Sequence, residues 1–128
     1  MGGIKINRFI KFGIVGFSGV IVNVGLLYIL TESGIVYYIS AVISIELSII
    51  NNFIWNDLWT WKDRIKKKWI IRLIEFHSVS FVAKLFNLAV LITLTEVFGI
   101  YYIFSSLCGI IVGTIINFAL NNIWTFKI

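Results

Sequence analysis

Proline is absent from this 128-residue chain, cysteine occurs once, and charged residues make up only 13%. Without proline, no helix is forced to kink by a missing amide donor. A lone Cys108 forms no internal disulfide, which excludes a secreted disulfide scaffold. A soluble domain carries roughly a quarter of its residues as charges. About half that density cannot cover a small body, which is mostly surface, so an ordinary cytosolic enzyme is excluded. Also missing are a Ser/His/Asp set, a Cys/His cluster and a phosphate-cradling glycine loop; no catalytic residue, metal or cofactor is expected. What the chain has in abundance is apolar: 59% of residues are hydrophobic, which excludes a disordered tail, and 16% are aromatic. With a mean hydropathy of +0.97, the composition describes a protein dissolved in lipid.

Four apolar stretches, roughly Phe9–Thr31, Ile35–Asn56, Arg72–Thr95 and Ile100–Asn122, have the length a helix needs to cross a bilayer. They are continuously apolar rather than alternating, so barrel strands are not expected. The fold class is therefore all-α, with four transmembrane helices arranged as two helical hairpins. The first stretch is too long for a cleavable signal and lacks a small-residue cleavage site. Lys5, Arg8 and Lys11 precede or begin helix 1; Lys62, Arg64, Lys66, Lys67, Lys68 and Arg72 lie between the hairpins; Lys127 follows helix 4. The hairpin tips carry only Glu32 and Glu96. This asymmetry predicts a multi-pass protein of the cytoplasmic membrane with both termini and the central loop inside. All five tryptophans fall near that face, and Tyr37-Tyr38 and Tyr101-Tyr102 mark the opposite interface. Topology and anionic head groups account for the +5 net charge, so no nucleic-acid partner is expected.

The second hairpin repeats the first. At an offset of 64, Arg8, Phe12, Phe17, Asn23, Thr31 and Glu32 fall on Arg72, Phe76, Phe81, Asn87, Thr95 and Glu96. At an offset of 65, Gly34, Ser40, Asn52, Asn56, Trp59, Thr60 and Lys62 fall on Gly99, Ser105, Asn117, Asn121, Trp124, Thr125 and Lys127. One transmembrane domain over 1–128 is expected, with repeat 1 at about 8–62 and repeat 2 at about 72–127. Two spans per unit make the repeat parallel, about an axis near the membrane normal. Helix 2 carries Ser40, Ser44, Ser48, Asn52 and Asn56 at intervals of four; helix 4 aligns Ser105, Gly109, Gly113, Asn117 and Asn121. Such small-residue stripes let backbones approach, with asparagines free to hydrogen-bond across the interface or line a polar cleft. Helix 1 is expected to present Gly13, Gly16, Val20 and Asn23 on its matching face, and helix 3 His77, Ser80, Lys84 and Asn87.

Charges at membrane depth mark functional candidates. Glu46 lies about 16 Å from the outer end of helix 2 and Lys84 about 18 Å from the inner end of helix 3. Both are near the midplane, either as a neutralising pair or as substrate contacts. Arg8 and Lys11 lie at head-group depth, within reach of a phosphate.

Arg8-Phe-Ile-Lys-Phe-Gly-Ile-Val-Gly16 followed by Asn23, then Asn52-Phe-Ile-Trp-Asn56 and Trp59-Thr-Trp-Lys62, resemble the GtrA-like family of small four-helix membrane proteins. Asn117-Phe-Ala-Leu-Asn-Asn-Ile-Trp-Thr-Phe-Lys127 resembles its C-terminal signature, and the resemblance covers nearly the whole chain. It implies translocation of a polyprenyl-phosphate-linked sugar for cell-surface polysaccharide synthesis, with a membrane glycosyltransferase as partner. Arg8, Lys11, Asn23, Glu46, Asn52, Asn56, Lys84, Asn87, Asn117 and Asn121 are then the candidate substrate contacts, within the bilayer, and a homodimer or a hetero-complex is expected. Two alternatives stay open: a non-transporting anchor for a glycosyltransferase, and a small proton-coupled exporter using Glu46.

Overall fold

The computed structural model describes residues 2–128, with side chains from Ile6 onward; the Lys5 side chain lies outside the described part. The chain is a multi-pass membrane protein. Its described residues form four long helices and no strand: α1 (Gly2–Glu32), α2 (Tyr37–Trp55), α3 (Trp69–Ile92) and α4 (Tyr102–Leu120). Segments Ile6–Glu32, Tyr37–Thr60, Trp69–Val97 and Tyr102–Thr125 are long and apolar enough to cross a membrane. They divide into two compact units, Met1–Ile65 and Lys66–Ile128, each a pair of packed helices.

Both tips turn on a glycine at positive φ, Gly34 at 106° and Gly99 at 67°. These are conformations that a Cβ would strain, and the two positions are equivalent in the repeat. At the other end, α2 and α4 do not stop cleanly. Each runs on through one wide π turn, Asn56–Thr60 and Asn121–Thr125. The Trp61 amide donates to the Asn56 carbonyl at 2.9 Å, and the Phe126 amide donates to the Asn121 carbonyl at 2.8 Å. Such turns occupy helix C-termini because the last carbonyls lack intrahelical donors. Here they fold an aromatic back against the hairpin. Trp61 is wholly buried on Phe12, ring centroids 5.7 Å apart, and Phe126 is wholly buried beside Phe76 at 6.5 Å. Trp61 is thus a core residue, not part of the interfacial aromatic belt expected of all five tryptophans. Its ring is covered by its own hairpin, whereas Trp55, Trp69 and Trp124 remain exposed.

The α2 and α4 stripes lie in the contact within each hairpin: Ser40, Ser44, Ser105, Gly109 and Gly113 are buried. Ser48 Oγ donates to the Gly19 carbonyl at 2.8 Å, crossing from α2 to α1. The faces they meet correct the expectation for α1. Gly13 and Val20 are exposed, and a Cβ on Gly13 or Gly16 would meet nothing within 4 Å. The packed face is Arg8, Phe12, Val15 and Gly19, repeated in α3 as Arg72, Phe76, Val79 and Ala83. On α3, Ser80 belongs to the contact, but Lys84 is exposed and His77 only half-buried. The reason is geometric: α1 is rotated to place Phe12 under Trp61, which turns Gly13 to the exposed side and leaves Gly16 at the margin of the contact.

Candidate functional site

The loop end of the first hairpin gathers charge around the π turn. Arg8 Nη1 donates to the Thr60 carbonyl at 2.7 Å and to Asp63 Oδ1 at 3.0 Å, and Nη2 donates to Asp63 Oδ2 at 3.0 Å. One guanidinium thus satisfies a helix-end carbonyl and grips a carboxylate bidentately. The two partners differ in setting: the Arg8 side chain is 8% exposed and that of Asp63 59%. Hydrogen bonding to Arg8, the dominant cause, lowers the Asp63 carboxyl to about 2 against the partial opposition of burial. The pKa of Arg64 is lowered, first by burial and then by the positive charge of Arg8, while Asp63 opposes the shift. Around the pair opens a cleft of about 240 Å³ lined by Asn7, Arg8, Lys11, Trp59, Thr60, Lys62 and Asp63. The Lys11 ammonium sits 5.4 Å from the centre of the Trp59 ring, a cation–π contact.

The corresponding corner of the second hairpin is built differently. Position 75, the repeat mate of Lys11, is Glu75. Lys67 bridges Glu75 Oε1 at 2.6 Å and donates to the Trp124 carbonyl at 2.7 Å, its ammonium 5.9 Å from the Trp124 ring centre. Arg72 donates to the Lys67 carbonyl. The asparagines differ too. Asn121 Nδ2 donates to the Asn117 carbonyl at 2.9 Å and to Asn117 Oδ1, and Thr125 Oγ1 donates to Asn121 Oδ1 at 2.8 Å. In the first hairpin, Asn56 Nδ2 and Oδ1 and Thr60 Oγ1 are buried with no hydrogen-bond partner in the protein.

Among the residues predicted from sequence, the structure brings Arg8 and Lys11 into one cleft, with Asn56 buried in the π turn that ends at cleft-lining Thr60. Asn52 and Asn87 instead occupy close helix contacts, Asn52 against Gly19 and Asn87 against Gly109. Asn117, near the end of α4, accepts from Asn121 in the π turn that follows. Asn23 is half-buried, and Glu46 and Lys84 are exposed on their own helices. Asp63, Trp59, Thr60 and Lys62 were missed as site residues. The available signal was Asp63 itself, the one acid set within the basic run between the hairpins. No cluster of three or more His, Cys, Asp or Glu side chains able to hold a metal occurs among the described residues.

Known proteins are similar to this chain in sequence. A dolichol-phosphate mannosyltransferase of Pyrococcus furiosus is 38% identical over 117 residues, 91% of this chain. The chain spans about a third of that relative, 33% of its length. The uncharacterized membrane protein YngA of Bacillus subtilis is 27% identical over 124 residues, covering 95% of this chain and 81% of the relative. Residues 11–127 match the family described as GtrA/DPMS, transmembrane domain, and with four apolar helices spanning that match the chain belongs to this family.

Proposed function

We propose that the chain moves a polyprenyl-phosphate-linked sugar across the cytoplasmic membrane, from the leaflet at the basic ends of its spans to the opposite one, for polysaccharide synthesis. The observation that carries this reading is the cleft: cationic donors from Lys11, Lys62 and Arg8 lie at the end of an apolar helical hairpin. A polyprenyl phosphate needs that combination, a lipid-facing path for the isoprenoid and positive charge for the phosphate. Exposed Ile14, Phe17 and Ile21 follow Lys11 along α1 and supply the apolar path. Lys84 and Glu46, exposed within their spans, would meet the head group at membrane depth. On this reading the chain itself performs no covalent step, works beside a glycosyltransferase and keeps both termini cytoplasmic. Reconstitution into liposomes with a short-chain polyprenyl-phosphate sugar tests it. Transbilayer movement should speed up without hydrolysis. A second reading, a membrane anchor for a glycosyltransferase, is favoured by one observation: the Pyrococcus match covers a third of a protein named as a mannosyltransferase. Unchanged flipping by correctly inserted protein, with retained capture of the partner enzyme, would select the anchor.

A further inference from the structure

We infer that the two hairpins are unequal as ligand sites. The phosphate of a polyprenyl-phosphate head group is held in the first hairpin's cleft by Lys11, Lys62 and Arg8 beside Trp59, and the second hairpin's corresponding corner is closed by its own Lys67. The choice of lipid rests on the function proposed above; the choice of hairpin rests on the structure.

Three independent differences point the same way. In the second hairpin, Lys67 lies near Trp124 much as Lys11 lies near Trp59, but its ammonium is already neutralised by Glu75 and bonded to the Trp124 carbonyl. The Lys67–Glu75 pair is partly withdrawn from solvent, with side chains 19% and 14% exposed, so an incoming anion would have to displace the Glu75 carboxylate. In the first hairpin the carboxylate on the arginine is Asp63, which is mostly exposed. Its two oxygens occupy the bidentate position on Arg8 that two phosphate oxygens would take. Asp63 therefore acts as an internal stand-in for the anion, and swinging it into solvent releases Arg8 to the ligand. Finally, the Asn121–Thr125 hydrogen bond that closes the second π turn has no counterpart in the first. Asn56 and cleft-lining Thr60 keep buried side-chain polar atoms without partners.

The test is equilibrium binding of a short-chain polyprenyl phosphate to the full chain in nanodiscs of neutral lipid, with the uncharged polyprenol and inorganic phosphate as controls. Lys11→Gln and Lys62→Gln should each weaken binding by about tenfold, the scale of one charge-assisted hydrogen bond. The paired change Lys67→Gln with Glu75→Gln should leave affinity within about twofold. Asp63→Asn should tighten binding several-fold, a gain that misfolding cannot mimic. Polyprenol and inorganic phosphate should compete poorly. The inference is overturned if wild type does not bind the lipid, if Lys11→Gln and Lys62→Gln bind like wild type, or if the Lys67/Glu75 change costs as much as they do. Equal displacement by phosphatidylglycerol would also overturn it, assigning the cleft to bulk head groups. Normal binding in this pattern without flipping would leave the site standing and reject translocation alone.

Discussion

The Arg8–Asp63 pair ties the start of α1 to the loop that follows the π turn of the first hairpin. The partners are 55 positions apart, and nothing local signals a contact across a hairpin. The bond has a pH signature. Because the folded carboxyl is lowered from 3.8 to about 2, its stabilisation is fully present above the unfolded value and lost as pH falls from about 4 through about 2. Asp63 is largely solvated, so this loss should stay under about 1 kcal/mol. Melting of wild type and Asp63→Asn at pH 7, 4 and 2.5 checks it: the difference between them should shrink only at the lowest pH. Lys67 and Glu75 form the opposite case. Their pair is mostly buried, so Glu75→Gln, which strands the ammonium, should cost about 3 kcal/mol. Equal melting losses for Asp63→Asn and Glu75→Gln would contradict this contrast.

Within each hairpin, close approach is set by what faces a glycine, not by the glycine alone. A Cβ at Gly109 would fall 2.6 Å from the Asn87 carbonyl oxygen, and one at Gly113 would fall 3.0 Å from that of Ala83. Backbone cannot step aside, so Gly109→Ala should destabilise the second hairpin by about 1–3 kcal/mol. At Gly19 the nearest atoms belong to the Asn52 side chain, which can rotate, and Gly19→Ala should cost less. Gly13→Ala and Gly16→Ala meet open space and should be neutral or stabilising by up to about 1 kcal/mol. Unfolding of the four variants in mixed micelles gives the order directly; a Gly13 variant as damaging as the Gly109 variant would refute the assigned face. The stripes on α2 and α4 could be read because small residues every four positions mark one side of a helix. The partner faces could not. On α1 and α3 the contact runs through Arg and Phe, residue types that sequence reasoning sends to the surface or to lipid, and the rotation that buries them is fixed by Trp61 and Phe126 returning from the π turns.

At the scale of the whole chain, ten of the eleven Lys and Arg residues flank the spans at the termini and central loop, which predicts one orientation in the bilayer. With Cys108 replaced by serine, single cysteines at Ser33 and Lys66 should label from opposite sides of intact cells and inverted vesicles. Labelling of both from outside would reject the proposed topology. The number of spans, their limits to within about a turn, the two-fold repetition and the small-residue stripes all follow from the sequence. Lipid solubility demands long uninterrupted apolar runs, and a helix converts spacing directly into a face. Only the tertiary structure decided how the equivalent corners differ. In one, an exposed aspartate rests on Arg8 beside an uncompensated Lys11; in the other, Glu75 draws Lys67 inward and Asn121 engages Thr125. Those outcomes depend on which charges a π turn brings within about 3 Å, a distance set by the packing of residues far apart in the chain.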